Sequence, residues 1–182
     1  FFMNFPEDNP DPSQLPDGSS VDLLVGRDLK AGTGVILTMP LIGWTPKSRD
    51  VLCAFSVKKY GPQAETEPNH PDCGNGKKPD GSLITGNDPR DASIPIDPAW
   101  VQEWIRHLIN QFGTADKGGV LFYNLDNEPE LWNFTHRDVH PAPLSYDELR
   151  DLTYRYAAAI KEADPAAKTL GPVGWGWDAY FY

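Results

Sequence analysis

The sequence predicts an α/β fold organised around a parallel sheet, and three observations carry the prediction. Three segments place apolar residues at helical spacing between a capping residue and a stop signal. Each is followed by a short, near-continuous apolar run, the pattern of a strand covered on both faces. With Phe1–Phe5 as the remains of an earlier strand, the order becomes β-α-β-α-β-α-β. Repeated units of this kind build either a doubly wound sheet or a (β/α)8 barrel.

The first helix opens at Ser19 or Ser20, buries Val21, Leu24, Val25 and Leu29, and stops at Gly32. The second opens at Asp97-Pro98, an N-cap followed by a first-turn proline. Its stripe is Val101, Trp104, Ile105, Leu108, Ile109 and Phe112, and Gly113 ends it. The third opens on the capping box Ser145/Glu148, buries Leu149, Leu152, Tyr156 and Ile160, and closes at Asp164-Pro165. The apolar runs that follow are 35–42, 120–125 and 169–173.

Between the strand at 35–42 and the second helix lies an insertion over 43–96, rich in Pro, Gly, Asn and Asp, with a hairpin expected near Val51–Val57. A connection that long inside a compact domain is usually functional or disordered. In the βα order it leaves the C-terminal end of a strand, the face where barrel enzymes carry their sites. It also holds both cysteines, Cys53 and Cys73, which either form a disulfide or remain two thiols.

The chain carries 26 acidic against 16 basic side chains, a net charge of −10. That sign opposes a phosphate-coated partner, so a nucleic-acid role is not expected. No apolar run is long enough to span a membrane.

The sharpest chemical signal is Tyr123-Asn124-Leu125-Asp126-Asn127-Glu128-Pro129, directly after a buried strand. A carboxylic acid held at a strand mouth can protonate a leaving glycosidic oxygen and then deprotonate the incoming water. Glu128 is therefore the candidate general acid/base, with Asn127 placed to hydrogen-bond a sugar hydroxyl and Pro129 stiffening the turn. The alternative is a solvated loop glutamate. Glu65, Glu67 and Glu130 are read as structural or solvated rather than as a second catalytic carboxylate.

Aromatic residues gather at strand ends: Trp44, then Trp132 and Phe134, then Trp175, Trp177 and Tyr180. Flat, rigid rings suit the C–H faces of sugars, so Trp44, Trp132, Trp175, Trp177 and Tyr180 are candidate substrate contacts. Core packing is the competing reading for each, and it is the expected one for Trp104. His136 and His140 have the spacing of helical metal ligands but no helix signal; charged loop residues that hydrogen-bond one another and brace the site are the favoured reading, with His136 a candidate substrate-binding residue. Asp88 and Asp91 in Gly86-Asn87-Asp88-Pro89-Arg90-Asp91 are weak candidates for a structural calcium, because the stretch lacks the spacing of a calcium loop.

Four stretches, Leu37-Thr38-Met39-Pro40-Leu41-Ile42-Gly43-Trp44, Leu125-Asp126-Asn127-Glu128-Pro129, Thr135-His136-Arg137-Asp138-Val139-His140-Pro141 and Leu170-Gly171-Pro172-Val173, resemble glycoside hydrolase family 44. The stretch Phe55-Ser56-Val57-Lys58-Lys59-Tyr60-Gly61-Pro62-Gln63 joins them, so the resemblance runs along essentially the whole chain. It implies a TIM-type (β/α)8 barrel with an added β-sandwich domain. Residues 1–182 would then be the N-terminal-to-middle part of the catalytic domain, about four βα units carrying the long insertion. It further implies a secreted, monomeric, retaining endo-β-1,4-glucanase or xyloglucanase that needs no cofactor and acts on β-glucan through two glutamates. Glu128 takes the acid/base role, and the nucleophile is expected beyond Tyr182, which would leave this chain inactive alone. A xylan or mannan hydrolase and a non-catalytic glycan-binding segment are the alternatives.

Overall fold

A computed structural model describes residues 1–3 and 20–177. In chain order the elements begin with α1 (Ser20–Lys30), β1 (Ile36–Met39), β2 (Trp44–Pro46), α2 (Val57–Tyr60), β3 (Thr66–Glu67) and β4 (His70–Gly74). They continue with β5 (Ser93–Pro95), α3 (Pro98–Phe112), β6 (Phe122–Leu125), α4 (Trp132–Thr135), α5 (Tyr146–Ala163) and β7 (Lys168–Leu170). These fall into two compact units. Among the described residues, a sheet unit comprises 20–43, 96–132 and 143–177, and an insert unit comprises 1–3, 44–95 and 133–142.

The sheet unit is built on β1, β6 and β7, parallel in the order β1-β6-β7. Ile36 is level with Phe122, and Phe122 with Lys168. Capping follows the expected chemistry. The Asp97 carboxylate accepts from Trp100 N–H at 2.9 Å to open α3, and Pro98 fills the first turn where its missing N–H costs nothing. Gly113, at φ 88°, ends the helix by donating its N–H to Ile109. The Ser145 hydroxyl accepts from Glu148 N–H at 3.2 Å to open α5, and Asp164 closes that helix.

The helices cover one face of the sheet. Leu37, Met39, Tyr123 and Leu125 pack with Val101, Ile105, Leu108, Tyr156 and Ile160 in a single core. Burying each such side chain contributes about 1.5–3 kcal/mol. Burial pushes the phenols of Tyr123 and Tyr156 above the ordinary tyrosine range. Strands covered on both faces were expected. Instead β1 alternates, with Leu37 and Met39 buried while Ile36 is 60% exposed. Leu24 of α1 likewise lies outside the core, half exposed. β1 and β7 also end before their apolar runs do, ahead of Pro40 and Pro172, which have no N–H to give the ladder.

The insert unit has its own small core of Ala54, Phe55, Ile84 and Ala92, with Phe2, Leu52 and Tyr60 against it. β2 pairs antiparallel with β5, and β3 with β4. Cys53 and Cys73 are joined in a disulfide, which settles the open alternative. Closing a loop of that length contributes about 3 kcal/mol in the chain-entropy account. The hairpin is at 66–74, not at 51–57. Ala54 and Phe55 are drawn into the local core, and Ser56 caps α2 by accepting from Lys59 N–H. Met3 makes an antiparallel bridge to Cys53, so the described part of the expected first strand joins the insert unit rather than the parallel sheet.

Arg137 is the organising side chain of this unit. Its guanidinium donates to the carbonyls of Ile84 at 2.9 Å and Gly76 at 2.8 Å. The cation lies 5.2 Å from the ring centre of Phe2 and 4.6 Å from that of Phe55. Burial pulls its pKa down and pushes that of the neighbouring Asp138 carboxyl up.

Candidate active site

The site sits where β6 ends. Asp126 and Glu128 both adopt the left-handed backbone region, at φ 65° and 54°, with no glycine present. Such positions cost about 1–2 kcal/mol for an ordinary L-residue and persist only where the surroundings enforce them. At Asp126 the enforcement is visible. One carboxylate oxygen accepts from Leu41 N–H at 2.7 Å, and the other accepts from Asn127 N–H at 2.8 Å. Its own N–H donates to Met39, and its carbonyl accepts from the Asn124 amide at 2.7 Å. The side chain thus bolts the end of β6 to the chain leaving β1.

At Glu128 the enforcement comes from the other neighbour. Its N–H donates to the Val173 carbonyl at 2.6 Å, and Asn127 forms a parallel bridge with Val173. Pro129 follows, buried, in a short 3-10 turn to Leu131. The Glu128 carboxylate takes no part in capping that turn and is half-buried. Backbone held on both sides and a carboxyl group left for chemistry is the arrangement that a positioned proton donor needs.

The loop after β7 approaches closely. Gly171 has φ 79°, and a Cβ there would lie 2.7 Å from the Asn124 side-chain oxygen, so only glycine fits. Glu130 accepts from Trp175 N–H at 3.4 Å. Trp175 and Trp177 are 54% and 76% exposed. Asn127 is exposed beside Glu128. Asp126, Glu130 and Val173 were not singled out as site residues from sequence. A strand-end Asp next to Asn-Glu-Pro was the available signal for the first, and nothing local marks the other two.

Trp132, expected as a sugar contact, is a correction. It is 2% exposed and packs in the core of the sheet unit, so its ring has no face for a glycan. Tyr180 lies outside the described residues.

The remaining candidates belong to the insert unit. Trp44 is half-buried on β2, with Arg90 5.8 Å from its ring centre. His136 is exposed, and its Nδ1 lies 2.9 Å from the Thr135 hydroxyl. His140 Nδ1 meets the Ala142 carbonyl at 2.9 Å. Arg137 braces this loop by holding backbone carbonyls, and the Asn87 amide donates to the Asp138 carbonyl. Asp88 caps a turn through Arg90 N–H, while Asp91 accepts from Lys59 and Tyr60. No cluster of three or more His, Cys, Asp or Glu at metal-binding spacing occurs among the described residues.

The family profile of Glycoside hydrolase family 44 matches residues 1–182, and the chain belongs to that family. It resembles the solved structure of CelM2, a bifunctional glucanase-xylanase from a metagenome library, at 42% identity and a TM-score of 0.85 over 89% of this chain and 32% of that one. A Paenibacillus polymyxa xyloglucanase is similar at 29% identity and a TM-score of 0.63, over 90% of this chain and 30% of that one. Endoglucanase A of Paenibacillus lautus is 30% identical across 94% of this chain and 23% of its own length. The chain therefore spans a third or less of each of these proteins.

Proposed function

We propose that the full-length protein is a retaining endo-glycosidase acting on β-1,4-linked glucan, including cellulose-type chains and xyloglucan, with Glu128 as its general acid/base. The observation that carries the reading is Glu128 itself: a carboxyl group at the mouth of a parallel strand, its backbone fixed by Val173 and its side chain making no cap to the turn that follows. Family membership supports the reaction class, and the names of the relatives support the polymer.

In the first step the protonated Glu128 gives its proton to the glycosidic oxygen as that bond breaks. In the second its carboxylate takes a proton from the attacking water. Asn127 donates to a sugar hydroxyl, a bond that strengthens as charge develops, and Trp175 and Trp177 offer stacking faces. The nucleophilic carboxylate must stand about 5–5.5 Å from the acid. Asp126 and Glu130 are both engaged with backbone N–H groups, which supports a nucleophile contributed from outside the described residues. The parallel order β1-β6-β7 supports a place for these elements in a (β/α)8 barrel of which this chain supplies about four units. The disulfide supports export to an oxidising compartment.

Xylan is the second reading, favoured by the likeness to a glucanase-xylanase. Both are tested by reducing-end release from carboxymethylcellulose, xyloglucan and xylan by the full-length protein and its Glu128→Gln variant. A drop of about 10²–10⁴-fold on unactivated polymer is the expected size for losing a general acid. Turnover near that of the unmodified protein would sink the assignment.

A further inference from the structure

Glu130 is two residues beyond the acid, and its carboxylate points across to the segment that leaves β7. One oxygen accepts from the Trp175 N–H at 3.4 Å. The other comes so close to Gly174 that a Cβ there would lie 2.7 Å from it. The same segment is stitched to the acid turn two residues earlier, by Glu128 N–H on the Val173 carbonyl at 2.6 Å. Three successive residues, Val173, Gly174 and Trp175, therefore run against Glu128 and Glu130. The ring of Trp175 is left 54% exposed by this arrangement.

Gly174 leaves room for this approach, since a Cβ there would make the end of the Glu130 side chain shift. A merely solvated glutamate would need neither contact.

We propose that Glu130 is a positioning residue: it clamps the Trp175 backbone to the turn that carries Glu128, and so fixes an aromatic wall for the β-linked glucan chain beside the acid. The proposal rests on the reading of Glu128 as the acid. It assigns Glu130 no part in proton transfer. Its effect is on how firmly the glucan is held, and it acts through Trp175 alone.

The test is a double-mutant cycle in the full-length protein, read as KM and kcat on xyloglucan and carboxymethylcellulose, with thermal unfolding of each variant alongside. Glu130→Ala is expected to raise KM about three- to tenfold, the size of one lost hydrogen bond, with kcat within about twofold. Glu130→Gln, which keeps an acceptor oxygen at the same reach, restores most of the loss. In a Trp175→Ala background, Glu130→Ala adds little further. If Glu130→Ala does not fold, Glu130→Asp carries the same comparison, since its shorter side chain falls short of Trp175 N–H. A fall in kcat at unchanged KM would overturn the proposal, as would penalties that add fully in the Trp175→Ala background. A Glu128→Gln variant with full turnover would overturn the acid assignment instead, while leaving the coupling between Glu130 and Trp175 readable in KM.

Discussion

The backbone N–H of Glu128 and the carbonyl of Val173 are joined at 2.6 Å, so among the described residues Glu128 is held through its main chain. Structural and chemical roles at this residue are therefore separable. Glu128→Gln is expected to leave the unfolding free energy within about 0.5 kcal/mol, as for a substitution that breaks no buried contact. Urea denaturation beside the activity assay checks this; a large loss of stability would mean that the carboxylate is structural.

Asp126 should behave in the opposite way. Its carboxylate satisfies Leu41 N–H, which is buried, and Asn127 N–H, and its backbone is left-handed. Asp126→Ala leaves donors unpaired and places a residue poorly suited to that conformation, an expected loss of about 2–4 kcal/mol. Asp126→Asn keeps one acceptor and tolerates the conformation, so it should lose less than half as much. Denaturant midpoints of the two variants give the comparison.

Arg137 is expected to resist even its conservative replacement. Two carbonyls and two aromatic rings match the flat, forked guanidinium, and an ammonium cannot serve them all. Arg137→Lys should cost about 1–3 kcal/mol and open the 44–95 stretch to proteolysis. Limited digestion, with cleavage sites mapped by mass, would show whether the new cuts fall there.

Asp72 provides a pH signature. Burial works against its ionised form, but Lys58 N–H and the Ser56 hydroxyl, each at 2.8 Å, outweigh it and hold the carboxyl below the ordinary carboxylate range. A lowered folded pKa adds stability that is complete above the unfolded value of about 3.9 and fades as pH falls through the folded one. The stability difference between the unmodified protein and Asp72→Asn should therefore be constant from pH 7 to about 5 and shrink below about 4. A difference that stays flat down to about pH 2.5 would contradict the linkage.

How much of this was legible depends on whether the signal was local. Helices α3 and α5 were readable because cap, stripe and stop are all local chemistry: Asp97-Pro98 through Gly113, and Ser145 through Asp164. The Glu128 turn was readable as chemistry because a carboxyl group after a buried strand is also a local pattern. Its left-handed backbone was not, since Asp126 and Glu128 are held there by Leu41 and Val173, far away in sequence. The insert failed for a related reason. Val51 and Val57 look like strand residues, whereas the observed hairpin contains Pro71 and Asp72 and owes its place to the disulfide and to Asp72 anchoring α2. Trp132 was misread because a tryptophan after a strand end has the same sequence signature whether its ring turns outward or into the core.

The three-part make-up of the insert unit bears on any attempt to move it. Residues 44–95 look like a cassette that could be cut from this fold and grafted onto another. Lifted alone, that stretch would leave behind Phe2, which packs on its core, and Arg137, which fills the space between the Gly76 and Ile84 carbonyls. The donor would be left with a homeless cation, and the recipient would receive a module with its keystone missing. Transplantation must carry 1–3, 44–95 and 133–142 together, so homologous recombination at the two ends of the insertion would be a poor route for this module to spread between enzymes.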